Sequence, residues 1–231
     1  MTRHIGIVAC SAEGAALCYR TLCAEGAARL GPHAHPEVSL HSHSLADYVR
    51  CLDAGDMQGV AELMLSSAQK LARAGADFLV CPDNTIHQAL PLALPRSPLP
   101  WLHIAEEVAA QAAGRGHRRL GLMGTRWLVD SSVYPHALRA RGLDFLRPDQ
   151  ADRDRVARII MDELVYGRFE PDSVRALQAV ARRLADAGCD AVVLGCTELP
   201  LVLDEAGCGL PVLDSTRILA RAALARAAGQ S

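Results

Sequence analysis

The sequence has 231 residues, of which 50% are hydrophobic and 22% are charged, with a formal net charge of −2. This balance suits one large domain or two small ones with full cores, and it argues against a basic nucleic-acid-binding chain. No apolar stretch approaches the roughly 20 residues that span a bilayer, and the segment MTRHIGIVAC has the pattern of a strand, not of a signal peptide. We therefore expect a soluble cytoplasmic protein with neither a nucleic-acid nor a membrane partner.

The eight cysteines are an even number, which invites a disulfide interpretation. However, thiols stay reduced in a large apolar chain that carries no export signal. There is also no C-x-x-C pair, so the common zinc and redox spacings are missing. We expect most of these thiols to be small buried hydrophobic groups. This prediction covers Cys18, Cys23, Cys51, Cys189 and Cys208.

Short apolar runs alternate with longer runs of helical period along the chain. The apolar runs are continuous, as in strands that are buried on both faces of a parallel sheet. They are IGIVA at 5–9, DFLVC at 77–81, LGLMG at 120–124 and AVVLG at 191–195. The helical runs AELMLSSAQKLARAG and SVRALQAVARRLADAG each end at a glycine. This alternation predicts a doubly wound α/β fold.

The helix–strand units repeat within the sequence. The segment GADFLVCPDNT at 75–85 aligns with GCDAVVLGCTE at 188–198. Further along, LPWLHIAEEVAAQA at 99–112 aligns with LPVLDSTRILARAA at 210–223. The first strand and its turn, HIGIVACSAEG, match RLGLMGTRWLV in the same way.

The repeat predicts two similar doubly wound α/β halves. We expect the first half to comprise residues 1–104, completed by a C-terminal helix over 214–231, and the second to comprise residues 105–213. Open α/β sheets bind ligands at the carboxyl ends of their strands. We therefore expect two halves that face each other across a cleft, with equivalent strand ends on its walls.

The alignment also pairs individual side chains after the strands. Asp83 lies eight residues after Gly75, and Cys196 lies eight residues after Gly188, so these two positions are equivalent. Cys81 aligns instead with Leu194, an ordinary strand residue. We predict that Cys81 is the buried end of its strand and that Asp83 lies on the following loop.

Several segments resemble the aspartate/glutamate racemase superfamily. LGCTELPLVL at 194–203 is similar to its second signature, and GADFLVCPDNTIH is similar to its first. IGIVACSAEG, AGDM, GLMGTRW and IIMDELVYG match in the same order along nearly the whole chain. The resemblance implies two halves related by a pseudo-twofold, an active site between them and a homodimer. It also implies cofactor-independent proton transfer at the carbon next to a carboxylate, performed by two thiols on opposite faces of the substrate.

The sequence departs from this family at the first thiol. The usual Cys-Asn-Thr is here Asp83-Asn84-Thr85, whereas the second thiol is present as Cys196. We predict that Cys196 and Asp83 are the acid/base pair. A carboxylate is ordinarily a weaker base than a thiolate by roughly 4.6 pKa units, or about 6 kcal/mol, and burial can recover part of that difference. Two alternatives for Asp83 stay open: an acceptor for a substrate ammonium, and a cap for its own loop.

Other polar residues near these motifs are candidate substrate contacts. Asn84, Thr85 and Thr197 carry side-chain donors and are equally good helix caps. The family's opening Gly-Gly-Met is here Ala9-Cys10-Ser11, which suggests a changed pocket with Ser11 in it.

The resemblance adds further positions. Glu198 is expected to orient its loop, and Ser42 and His43 follow a strand that ends beside the site in the family. Arg168 falls where relatives carry a carboxylate-binding basic residue; the alternative is a solvated arginine. His87 is expected either near the substrate or capping a turn.

The segment HAHPEVSLHSH at 33–43 contains four histidines. His41 and His43 alternate along a predicted strand, so they share one face. A metal site is one interpretation, but no acidic or thiol ligand has a supporting spacing. We predict no metal and no other cofactor.

The leading hypothesis is a racemase or epimerase of an amino acid or related carboxylate that works without pyridoxal phosphate. One alternative is another enzyme of the same superfamily, either a single-Cys decarboxylase or a cis–trans isomerase. A second is a non-catalytic amino-acid-binding protein. The sequence leaves the substrate open.

Overall fold

The computed structural model describes residues 2–229. The chain divides into two compact units, one made of residues 1–107 with 216–231 and the other of residues 108–215. Each unit is an α/β fold with a parallel sheet of four strands. Among residues 2–229, no helix is long and apolar enough to cross a membrane.

In the first unit, buried apolar strands alternate with helices. Its elements are β1 (Ile5–Ala9), α1 (Ala12–Leu30), β2 (Val38–Ser42), α2 (Leu45–Asp53), α3 (Met57–Arg73), β3 (Phe78–Val80), a 3₁₀ turn (Thr85–Ala89), α4 (Leu90–Ala93), a second 3₁₀ turn (Leu94–Arg96), β4 (Trp101–Leu102) and the start of α5 (Ile104–Gly114). The strand order is β2-β1-β3-β4.

The second unit repeats this plan. Its elements are the end of α5, then β5 (Arg119–Met123), α6 (Arg126–Val129), α7 (Val133–Arg139), β6 (Asp144–Leu146), α8 (Gln150–Asp162), a 3₁₀ turn (Leu164–Tyr166), α9 (Pro171–Asp186), β7 (Ala191–Leu194), a 3₁₀ turn (Leu199–Leu201), α10 (Glu205–Cys208) and β8 (Val212–Asp214). The strand order β6-β5-β7-β8 is that of the first unit. The last helix, α11 (Ser215–Ala227), is shorter than the predicted 214–231 helix, of which residues 230 and 231 lie outside the described range.

The four predicted strands are confirmed, with ends shifted by no more than one residue. Their pairing also follows the repeat. Ile5 pairs with Phe78 in the first sheet, and their aligned counterparts Leu120 and Ala191 pair in the second. The predicted two-half α/β architecture is therefore present down to the register of its central strands.

Each unit has its own apolar core. In the first, residues of α11 pack with the central strands, so that Leu219 and Leu224 join Ile5, Ile7 and Phe78 in one buried cluster. In the second, strand residues such as Val192 and Leu194 pack against α8 and α9. The central strands are thus covered by helices, as their continuous apolar pattern requires.

The prediction for the cysteines was only partly correct. Cys18, Cys189 and Cys208 are buried, as expected, but Cys23 and Cys51 are partly exposed. Cys23 lies on α1 and Cys51 on α2, and both helices also carry solvent-facing side chains.

We predict that Gly6→Ala destabilises the first unit. A Cβ at Gly6 lies 2.7 Å from Leu79 Cδ2 and 3.0 Å from Ala76 Cβ, so the core must shift to admit it. We expect a loss of about 1–3 kcal/mol in the free energy of unfolding, measured in urea. Gly114→Ala is the control, because nothing lies within 4 Å of its added Cβ. It should leave stability unchanged or raise it by up to about 1 kcal/mol, and an equal loss in both variants contradicts the steric argument.

Candidate active site

The loop after β3 carries the first predicted acid/base group. Asp83 is partly buried, and its Oδ1 accepts hydrogen bonds from the backbone N–H groups of Thr85 (2.9 Å) and Ile86 (3.1 Å). These bonds cap the 3₁₀ turn that begins at Thr85 and stabilise the ionised carboxylate. The capping role considered for Asp83 is therefore present, and it uses one of the two carboxylate oxygens.

Cys81 is fully buried at the end of β3, as predicted. Its Sγ lies 3.9 Å from the carbonyl oxygen of Asp83. Burial, and after it the negative charge of Asp83, raise the pKa of this thiol well above its usual value. Cys81 therefore stays a thiol at neutral pH and is a poor nucleophile or base.

His87 follows on the same turn and is also buried. Its Nδ1 lies 2.7 Å from the carbonyl oxygen of Asp83, and its Nε2 accepts from the backbone N–H of Ile104 at 3.3 Å. Of the two roles considered for His87, this geometry is that of a turn cap.

The loop after β7 carries the second predicted group. Cys196 is 7% exposed, and its Sγ lies 2.9 Å from Oε2 of Glu198, which is itself buried. The Thr197 hydroxyl donates to the same Oε2 at 2.7 Å. Thiol and hydroxyl thus converge on one carboxylate oxygen, and Glu198 fixes the conformation of this loop.

The segment directly after Cys196 gives its thiol no α-helix N-terminus. A helix beginning after Cys196 would have stabilised its thiolate, but the chain forms only the short 3₁₀ turn Leu199–Leu201. Its few aligned peptide groups give little dipole. The neighbouring Glu198 carboxylate favours the protonated thiol instead, because it accepts the hydrogen bond and repels a thiolate.

The other predicted contacts lie at different places in the two units. Asn84 and Thr85 are buried beside Asp83 on the first loop. Ser11 is buried, and its hydroxyl caps α1 by accepting from the N–H of Gly14 at 3.2 Å. His43 lies just beyond β2, with Nε2 3.1 Å from the Ser66 hydroxyl.

Arg168 is exposed in the second unit. It donates to the carbonyl oxygen of Asp162, and its guanidinium lies 5.7 Å from the centre of the Tyr166 ring. Arg168 thus covers the end of α8, with its charge accessible to solvent.

Sequence reasoning missed Tyr48 on α2. Its side chain is fully buried, and burial, followed by the proximity of the ionisable groups of Cys81, Cys10 and Asp83, raises its pKa. Within the described residues, no group forms a well-aligned hydrogen bond with its hydroxyl, although nearby Ser67 favours the phenolate. Tyr48 therefore belongs to the polar surroundings of Asp83. An amphipathic helix position carries no signal of such a role.

Two further features of the described residues bear on other sites. A cavity of about 350 Å³ between α8 and α9 contains none of the predicted site residues. In the part of the chain that the structure describes, no group of three or more His, Cys, Asp or Glu side chains is arranged to hold a metal ion.

The sequence matches the profile of the Asp/Glu/Hydantoin racemase family over residues 6–223. The chain belongs to this family. The broad specificity amino-acid racemase RacX of Bacillus subtilis is 24% identical over 191 residues, covering 81% of this chain and 80% of RacX.

Solved structures agree with this assignment. A Yersinia pestis protein provisionally described as an Asp/Glu racemase is 31% identical with a TM-score of 0.89, covering 97% of this chain and 99% of that one. An aspartate racemase homologue from Pyrococcus horikoshii shares the fold, at 24% identity and a TM-score of 0.82, with 98% and 99% covered. Family and relatives support an amino-acid racemase, an isomerase, as the general activity.

We predict that Cys196→Ala abolishes turnover and that Cys81→Ala retains most of it. Cys196 is held against Glu198 on the loop, whereas Cys81 is a buried thiol at a strand end. The measurement is the rate of racemisation, with circular dichroism to establish that both variants fold. If Cys81→Ala folds and is as inactive as Cys196→Ala, the assignment of the first loop is wrong.

Proposed function

We propose that this protein is a cofactor-independent racemase or epimerase of an amino acid or related carboxylate, in which Asp83 and Cys196 exchange protons with opposite faces of the α-carbon. The observation that carries this proposal is the shared register of the two sheets. Asp83 follows Val80 by three residues and Cys196 follows Val193 by three residues, after β3 and β7 respectively. The two groups therefore occupy equivalent positions at the carboxyl ends of equivalent strands.

In the resting enzyme, one group starts as a base and the other as an acid. Two N–H donors favour an ionised Asp83, and Glu198 favours a protonated Cys196. Asp83 then removes the α-proton from one enantiomer, so that the C–H bond breaks and an O–H bond forms. Cys196 gives its proton to the opposite face, leaving a thiolate. The reverse reaction starts from protonated Asp83 and the Cys196 thiolate, so total charge is conserved in both directions.

The intermediate enediolate needs positive or hydrogen-bonding groups around its oxygens. We propose that Asn84, Thr85 and Thr197 provide side-chain donors on the two loops, with Ser11 and His43 as further contacts. Arg168 is the proposed partner for the substrate carboxylate. Glu198 acts on the substrate only through Cys196 and Thr197.

The same residues suffice without added chemistry, so we propose that the enzyme works without pyridoxal phosphate and without a metal ion. We further propose a cytoplasmic homodimer, as the family resemblance implies.

A second candidate is a single-base lyase of the same superfamily, such as a decarboxylase. The observation that favours it is the capping of the loop by Asp83, which uses Oδ1 for two backbone hydrogen bonds. A decarboxylase needs only one proton donor, and the Cys196 thiol beside Glu198 is such a donor.

The deciding experiment follows α-hydrogen exchange by NMR in deuterated water, for both enantiomers of each amino acid. We expect the wild type to exchange and invert. Asp83→Asn should stop inversion yet retain exchange from one enantiomer, because Cys196 still reaches one face. Asp83→Cys restores the two-thiol pattern and should remain active.

Each other outcome has a distinct meaning. If Asp83→Asn inverts its substrate as fast as the wild type, Asp83 is not an acid/base group. Exchange by the wild type without inversion indicates one working base and favours the lyase. No exchange with any amino acid favours the binding protein.

We also predict that Glu198→Gln makes Cys196 react with iodoacetamide at lower pH than in the wild type. The glutamine oxygen still accepts the thiol hydrogen bond, but the negative charge that disfavours the thiolate is gone. Labelling at Cys196 is measured by peptide mass spectrometry across pH, and Thr197→Val, which keeps the charge, is the control. A shift to higher pH shows instead that Glu198 removes the thiol proton.

A further inference from the structure

The His87 side chain connects the Asp83 loop to the first residue of α5. Nδ1 lies 2.7 Å from the Asp83 carbonyl oxygen, which only accepts, and Nε2 lies 3.3 Å from the Ile104 N–H, which only donates. The proton must therefore be on Nδ1. These two partners select a single neutral tautomer of the imidazole.

The surroundings of His87 keep this ring neutral. Burial, and after it the proximity of His103, lower the pKa of His87 to about 3, although the hydrogen bond to Asp83 acts in the opposite direction. The two imidazoles pack edge to face, with centroids 4.7 Å apart. His87 thus carries no charge at the pH values where the enzyme is expected to work, and it is unsuited to exchanging protons with a substrate.

The bond to His87 holds Asp83 at a second point. The Asp83 carboxylate is held through Oδ1 by the N–H groups of Thr85 and Ile86, and its carbonyl is held by Nδ1 of His87. Main chain and side chain of this residue are therefore fixed by the same short turn. Loss of the His87 bond removes one of these two holds.

This arrangement belongs to the first half alone. By the repeat alignment, the position equivalent to His87 is Pro200, which has no side-chain donor. In the second half, Glu198 holds Cys196 directly through its thiol. The two halves thus share a backbone plan but fix their reactive groups with different side chains.

We propose that His87 is a positioning residue for Asp83: its Nδ1–H fixes the peptide of Asp83 and so places the carboxylate for proton transfer. This inference rests on the proposed function, in which Asp83 is one of two acid/base groups. It predicts that loss of the His87–Asp83 hydrogen bond slows proton transfer by Asp83 at one face of the α-carbon and leaves proton transfer by Cys196 at the other face unchanged.

Two substitutions separate positioning from packing. In His87→Asn, the side-chain N–H₂ reaches about as far as Nδ1, so the bond to Asp83 is kept and the bond to Ile104 is lost. In His87→Gln, the amide reaches about as far as Nε2, so its oxygen can still accept from Ile104 while the donor to Asp83 is lost. Both side chains are polar and smaller than histidine, so neither overpacks the site.

The readout is loss of deuterium from each enantiomer of an α-deuterated substrate, chosen as the amino acid that exchanges fastest with the wild type. Asp83→Asn first identifies which enantiomer faces Cys196. The measured quantity is the ratio of the two rates within one protein sample, which does not depend on the fraction that is folded. A misplacement near 1 Å costs on the order of a hundredfold in rate, so we expect at least about a tenfold loss on the Asp83 side in His87→Gln. In His87→Asn the ratio should stay near the wild-type value.

The outcomes distinguish this proposal from the proposed function. If Asp83→Asn does not separate the two enantiomers, the two-base function fails. If Asp83→Asn does separate them, two results refute the positioning role. One is a wild-type rate ratio in His87→Gln, and the other is an equal change of that ratio in His87→Asn and His87→Gln.

Discussion

Parallel pairing of one buried central strand with the next is the constraint on which each half of this protein depends. Strands β1 and β3, and likewise β5 and β7, are covered on both faces, so a shift of register would move apolar side chains out of place. The register in turn fixes where each strand ends and which residue comes first on the following loop. Gly6 and Gly121 occupy aligned positions on β1 and β5. A Cβ at Gly6 lies 2.7 Å from Leu79 of the neighbouring strand, and one at Gly121 lies 2.8 Å from Leu184 of α9. Core packing therefore determines where Asp83 and Cys196 lie. Each follows its strand within three residues, so a flexible loop does not decide the position.

The two halves share this backbone plan but hold groups whose resting protonation states differ. Asp83 is a carboxylate that accepts from backbone N–H groups, which favours its charged form. Cys196 is a thiol that donates to a buried carboxylate, which favours its neutral form. Two thiols would have similar intrinsic pKa values, so either could be the one that is protonated at rest. With Asp83 and Cys196, the intrinsic difference of about 6 kcal/mol favours an ionised Asp83 and a protonated Cys196. Glu198 adds to that bias. In the proposed mechanism the enzyme thus starts from one protonation state and must return to it after each inversion.

The sequence was sufficient for the architecture because its signals are local and repeated. Continuous apolar runs predicted the strands, and the spacing from Gly75 and Gly188 predicted which side chain leaves each strand end. The hydrogen-bond partners of those side chains were harder to predict from the sequence. Glu198 was expected to orient its loop, but its direct contact with the Cys196 thiol depends on rotamers that no spacing defines. The chain after Cys196 forms a short 3₁₀ turn, which the spacing of the motif does not specify. The contact between His87 and the Ile104 N–H joins residues 17 apart, and the burial of Tyr48 depends on the packing of a whole unit, so neither has a short-range signature.

The charges of the loops limit the substrate that the proposed mechanism can use. In that mechanism Asp83 is itself a reacting carboxylate, Glu198 holds a second carboxylate against Cys196, and the substrate brings a third with its own α-carboxylate. Like charges that are partly shielded from water repel more strongly than they do in solution, so each added negative charge raises the cost of binding. Arg168, which is exposed and bonded to the end of α8, is the proposed partner for one carboxylate. In the proposed mechanism, a second carboxylate on the substrate side chain would add a like charge facing Asp83. If Asp83 is an acid/base group, as we propose, its charge favours amino acids with neutral or basic side chains over the dicarboxylic substrates for which the family is named.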